Sequence, residues 1–134
     1  LRSLVGSEMC IRDRQATLAY GYMTTDKKSG DYISKYALDY MRHKATACIG
    51  IRFLRYVTLT VTAGLYDRNG NYIAADGRQT PYRTYALLDA RIAWERRHLR
   101  IYIDGNNITA TRYCDFGGLK MPEGWFTGGL VVTY

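Results

Sequence analysis

Trp125-Phe126-Thr127-Gly128-Gly129-Leu130-Val131-Val132-Thr133-Tyr134 closes the chain in strict period two and ends on an aromatic residue. Successive side chains of a strand point to opposite faces. Phe126, Leu130, Val132 and Tyr134 therefore share one face with Gly128, and Trp125, Thr127, Gly129, Val131 and Thr133 share the other. Two readings fit this stretch: the last strand of a sheet that lies in a membrane, or an ordinary terminal strand of a soluble sandwich.

The same alternation recurs upstream and predicts six strands, at 15–24, 42–53, 56–67, 82–95, 98–107 and 125–134. Their apolar parities read Leu18, Tyr20, Tyr22; then Ala45, Ala47, Ile49, Ile51, Phe53; then Val57, Leu59, Val61, Ala63, Leu65. Ala86, Leu88, Ala90, Ile92, Trp94 and Leu99, Ile101, Ile103 continue the series. Lys44, Arg52, Asp89, Arg91, Glu95, Arg100 and Asp104 all fall on the opposite parity.

Such segregation suits a half-buried soluble sheet or a membrane barrel, in which the apolar parity meets lipid and the polar parity lines a lumen. Aromatics near the ends of the rows favour lipid: Phe53, Trp94 and Tyr134 at one rim, Tyr20, Tyr22, Tyr82 and Phe126 at the other, as interfacial girdles are placed. The small residues in the rows are also easier to place against acyl chains than in a close-packed core. The connections agree. Leu54-Arg55 and Arg96-Arg97 are short turns, whereas 25–41, 68–81 and 108–124 are long. Short turns on one side and long loops on the other are how outer-membrane barrels are built. If the carboxy terminus is periplasmic, every long loop falls outside the cell.

Composition bounds the rest. The 134 residues carry 13 Tyr, 13 Gly and only 2 Pro, with no apolar run of about 18 residues that would make a transmembrane helix. The net charge of +7 raises a nucleic-acid partner. The basic residues read as dispersed among loops, turns and the polar face, without a helix or strand motif to present them, so a solvated face or contact with anionic lipid headgroups is preferred and no nucleic acid is expected. Residues 1–14 resemble a translated sequencing-adapter scar and lack the pattern of a signal peptide. They are set aside, Cys10 with them, as a non-native segment, and 15–134 is taken as the carboxy-terminal part of a longer protein.

Residues 82–134 resemble the closing strands of a TonB-dependent outer-membrane receptor. The likeness runs through Leu88-Asp89-Ala90-Arg91-Ile92-Ala93-Trp94, Leu99-Arg100-Ile101-Tyr102-Ile103-Asp104, Asn106-Asn107-Ile108, Thr111-Arg112-Tyr113 and Pro122-Glu123-Gly124-Trp125-Phe126-Thr127-Gly128-Gly129. The family commonly carries Asn-Asn-Leu and, before the last strand, Pro-Gly-Arg; here Ile108 stands for the leucine and Pro122-Glu123-Gly124 for the second motif. Upstream, the segment from Tyr32 to Lys44 is similar to receptors of the Bacteroidetes type that take up vitamin B12 or siderophores.

The resemblance implies a place in the bacterial outer membrane and active uptake of a scarce ligand, a cobalamin, siderophore or glycan, powered through a TonB partner by way of upstream segments. It further implies that Phe126, Leu130, Val132 and Tyr134 form the signal read by the barrel-assembly machinery. Asp89, Arg91, Arg100 and Asp104 should face one another across the fourth and fifth strands, as a ladder of cross-strand ion pairs or as contacts for the plug that fills such lumens. Asn106 and Asn107 should bend the chain into the last loop, since Asn tolerates left-handed backbone, and Tyr113 and Trp125 should anchor that loop. No enzyme, cofactor or metal site is read. His43 and His98 belong at opposite rims, and Cys48 and Cys114 are expected as free thiols.

The expected fold is all-β: an antiparallel, six-stranded, curved meander sheet, part of a transmembrane barrel of about 22 strands, open at its first and sixth strands. A small outer-membrane barrel, porin-like or enzymatic, is the alternative within the membrane class; a soluble lipocalin-like ligand-binding barrel is the alternative outside it.

Overall fold

A computed structural model of the chain describes the backbone of residues 3–11, 14–24, 40–74 and 77–134, and side chains from residue 14 onward within these ranges. The strands in chain order are β1 (Ser3–Ile11), β2 (Arg14–Tyr22), β3 (Met41–Phe53), β4 (Val57–Arg68), β5 (Asn71–Ile73), β6 (Gln79–Pro81), β7 (Tyr85–Arg96), β8 (Leu99–Asn106), β9 (Cys114–Asp115), β10 (Leu119–Lys120) and β11 (Trp125–Val132). One antiparallel sheet runs β1-β2-β3-β4-β7-β8-β11, and two small ladders, β5–β6 and β9–β10, sit in the connections.

All six expected strands are present, in meander order. The sheet has one more. Residues 3–11, set aside on sequence grounds, pair with β2 as an edge strand whose register shifts between Leu4 and Ser7. Their sequence lacks clean alternation, but β2 would otherwise leave a row of backbone donors and acceptors unpaired. The free edges are therefore β1 and β11, and the sheet is not closed on itself.

Register carries the apolar parity across the whole sheet. Ala16 faces Ile49, Ile49 faces Val61, Val61 faces Ala90, Ala90 faces Gly105 and Gly105 faces Phe126. One row nearer the short turns, Ile51, Leu59, Ile92, Ile103 and Gly128 stand side by side. No described residue covers this face. Among the described residues no hydrophobic side chain is buried, and Leu18, Ile49, Leu65, Ile103 and Leu130 are each more than half exposed.

The short connections differ slightly from expectation. Leu54 and Arg55 both take φ near +50°, the pairing of signs that matches a tight hairpin to strand twist. The second turn is Arg97–His98, not Arg96–Arg97, because Arg96 still pairs with Leu99. Strand β7 starts at Tyr85, three residues after the expected Tyr82. Pro81 ends β6, and the Tyr82 ring packs on Tyr72 at 5.1 Å, so Tyr82 belongs to the loops and not to a girdle. β11 ends at Val132, since its partner turns away at His98; the last bond is Thr133 N–H to the His98 carbonyl, 2.8 Å, and Tyr134 projects beyond it. The connection 25–39, with most of the segment 32–44, lies outside the described residues.

Successive short turns step along the sheet. The β1–β2 ladder ends at Ile11–Arg14, and Arg14 faces Ile51; the β3–β4 turn lies beyond that level at 54–56; the β7–β8 turn lies beyond it again, since Val57 faces Trp94 and the chain reverses at Arg97–His98. The offset averages about one residue per strand crossed, which at about 3.3 Å along a strand and about 4.8 Å between strands is a slope of about 35°. That slope falls at the lower end of the roughly 35–45° tilt of strands in barrel walls.

Candidate functional site

The face opposite the apolar rows carries the charge. Arg91 of β7 stands directly across from Asp104 of β8 and grips it with two hydrogen bonds, Nε to Oδ1 at 2.5 Å and Nη2 to Oδ2 at 2.9 Å. Its guanidinium also lies 5.1 Å from the centre of the Tyr102 ring. That ring in turn covers Gly129 of β11, where any side chain beyond hydrogen would collide with it. Asp104, Arg91, Tyr102 and Gly129 thus tie three strands together on one face. A shallow depression of about 300 Å³ lies over this row, bordered by Thr60, Thr62, Asp89, Arg91 and Asp104.

The expected ladder is present, with one exchange of partners. Arg100 pairs with Glu95, its register partner, at 2.8 Å. Asp89 takes no part in the ladder; its Oδ1 accepts the backbone N–H of Asn107 at 2.8 Å. The reason is the strand end: the β7–β8 ladder stops at Ala90–Gly105, so the chain is already turning where Asp89 meets it.

Asn107 is the hinge of that turn. It sits at φ +48° and is 2% exposed. Its Nδ2 donates to the carbonyls of Thr111 (2.8 Å) and Pro122 (3.2 Å), while Oδ1 accepts from Thr111 N–H at 2.9 Å and from the Thr109 hydroxyl at 3.4 Å. One side chain therefore ties both limbs of the loop 107–124 to the strand end. Gly124 passes so close that a Cβ there would lie 2.9 Å from the Asn107 carbonyl oxygen. Asn106, its neighbour, stays in the ladder opposite Trp125.

The loops gather on tyrosine. Tyr66, Tyr85 and Tyr113 form a continuous stack, with ring centres 5.2 Å and 4.4 Å apart. Burial in this stack, and Asp115 beside it, push the Tyr113 phenol above its ordinary range, so it stays neutral. Arg68 bridges to Asp115 at 2.5 Å, and Tyr72 packs over Gly118, fastening the β5–β6 hairpin to the last loop. Between them opens a cleft of about 450 Å³ lined by Tyr72, Tyr82, Arg83, Tyr85, Tyr113 and Lys120. Tyr113 is a loop anchor as expected, while Tyr66, Tyr85 and the Arg68–Asp115 bridge were not singled out. Their one sequence signal is that Tyr66 and Tyr85 lie on the polar parity at the loop ends of their strands.

Of the other residues read from sequence, Phe126, Leu130 and Val132 keep to the apolar side, Phe126 leaning over Gly105, and Tyr134 lies beyond the end of β11, fully exposed. His43 is at the loop end, its ring tilted against Tyr22 at 4.9 Å and bonded to the Tyr20 hydroxyl at 2.7 Å, and His98 is in a short turn at the far end. Cys48 and Cys114 are free thiols. Among the described residues no cluster of His, Cys, Asp or Glu has metal-binding geometry. No protein family, characterised protein or solved structure matches the chain.

Proposed function

We propose that the sheet is wall of a bacterial outer-membrane β-barrel of the active-transport kind, a TonB-dependent receptor for a scarce ligand such as a cobalamin, siderophore or glycan. The observation that carries this reading is the continuous apolar face, in register across β2 to β11 and covered by no described residue. A bare apolar face of this extent costs too much in water and is at no cost against acyl chains. The slope of the turns and the ion-paired opposite face fit a barrel wall around a polar lumen. The outer strands of the sheet then pair with further strands of the same barrel, the Tyr-lined cleft and its loops face the outside of the cell, and the Arg91–Asp104 row faces the plug. Energy enters through TonB at segments outside the described sheet.

The test is extraction. Directed across the inner membrane by a secretion leader, the chain should sediment with outer membranes, resist urea and carbonate washes and dissolve only in detergent. Recovery as a folded, water-soluble monomer would overturn the membrane reading in favour of a soluble ligand-binding barrel.

Biogenesis gives a second expected outcome. Tyr134 makes no contact that holds the sheet, and it continues the row Phe126, Leu130, Val132 that the assembly machinery would read. Deleting Tyr134 in the full-length receptor should lower the amount that reaches the outer membrane, while each inserted molecule takes up ligand normally. Normal abundance with lost uptake, measured on the same cells, would place Tyr134 in transport instead.

A further inference from the structure

The fold gathers basic residues that look scattered in sequence. Arg52, Arg55, Arg96, Arg97 and Arg100 come from three strands and two turns, yet all lie at the short-turn end of the sheet. Among the described residues, Glu95 is the acidic residue at this end, and Arg100 engages it. The other four arginines are exposed and form no salt bridge among the described residues.

Their placement follows the apolar border. Arg96 ends an apolar row, facing Leu99. Arg55 and Arg97 occupy the turn tips. Two neighbouring turns are held together by Tyr56: its carbonyl accepts Glu95 N–H at 2.8 Å, and its ring lies 6.0 Å from the Arg55 guanidinium and 5.8 Å from that of Arg96. Unpaired like charges held this close repel one another unless an anion lies between them. The apolar neighbours say which anion. Leu54, at the apex of the β3–β4 turn, is 78% exposed, and Phe53 and Trp94 lie just above. A nucleic-acid surface would gain nothing from a leucine thrust among its cations, whereas a bilayer border takes both.

We infer that the short-turn rim is a binding belt for the phosphates of anionic phospholipids in the leaflet it faces. Arg55, Arg96 and Arg97, at the turn tips and on the apolar border, reach headgroup phosphates with forked N–H donors while their stems and the adjoining residues stay against acyl chains, whereas Arg52, opposite Thr58, lies on the polar side. The belt sets how deep the apolar face sits and which lipids surround it. This inference rests on the membrane reading.

The chain, with Trp125→Phe so that Trp94 reports alone, is added from urea to vesicles of brominated phosphatidylcholine, with or without phosphatidylglycerol. Quenching of Trp94 reports insertion of the apolar face in either lipid, and the partition coefficient reports the belt. Each arginine near an anionic surface should contribute about fivefold, so Arg55→Gln with Arg96→Gln and Arg97→Gln should cost on the order of a hundredfold in phosphatidylglycerol vesicles. Removing the same charge at the loop end, by Arg83→Gln, Arg112→Gln and Lys120→Gln, should change it little. Quenching without preference for phosphatidylglycerol, or equal losses in both triple variants, would overturn the belt and leave the membrane reading standing. Absence of quenching in both lipids would overturn both.

Discussion

Val61→Arg should cost about 2–4 kcal/mol of assembly, because it places a guanidinium in the middle of the side proposed to face lipid. Val61 is the central apolar residue of β4, between Ile49 and Ala90, and at that depth arginine has no phosphate within reach. Converted at 1.4 kcal/mol per tenfold, the folded population in a bilayer should fall roughly thirtyfold to several hundredfold. Thr62→Arg is the matched control. It lies on the opposite face, between Cys48 and Asp89, where a new cation gains an acidic neighbour. Urea titrations in vesicles, followed by heat-modifiable mobility on gels, should separate the two variants clearly; equal losses would overturn the assignment of one face to lipid, and a larger loss for Thr62→Arg would mean that the inner and outer faces are exchanged.

The second large effect belongs to Asn107. Alanine there removes the side-chain bonds to Thr109, Thr111 and Pro122 and leaves the part-buried Thr111 N–H and the Thr111 and Pro122 carbonyls without their partner, in a backbone conformation alanine disfavours; together this should cost about 3 kcal/mol. Glycine accepts φ +48° freely and should lose less. Aspartate should be worst, for it turns a carboxylate oxygen towards the carbonyls of Thr111 and Pro122 at a site 2% exposed. The readout is trypsin cleavage after Arg112 and Lys120 in the assembled protein. A loop opened by about 3 kcal/mol is cut about a hundredfold faster when cleavage follows the open population. Wild-type cleavage in all three variants would show that the loop is held elsewhere.

The strands were legible because their apolar and polar residues alternate without error. The exceptions are instructive. Residues 3–11 join the sheet through an available edge, which no periodicity announces. Tyr82 has the right parity for β7, but Pro81 and the ring of Tyr72 hold it in the loops. Glu95, not Asp89, became the partner of Arg100 because register, not composition, decides which charges meet. Asn107 was readable as a bend, but its burial was not, since its partners lie at Asp89, Thr111 and Pro122, across three separate stretches of chain. The arginine belt was hidden for the same reason: its members come from two separate hairpins, at Arg55 and at Arg96 and Arg97, and meet only where those hairpins stack.

In the main sheet the strands pair in chain order, and among the described residues the small ladders β5–β6 and β9–β10 are the strands that intervene. Folding can therefore proceed as a zipper, each hairpin closing onto an edge already formed, with little entropy lost at any one step. The same order fixes how such a protein can lengthen or shorten over generations. On the proposed membrane reading, a single inserted strand would send all later loops to the wrong side of the bilayer, whereas an inserted hairpin leaves their sidedness intact, so the heritable unit of this architecture is the pair.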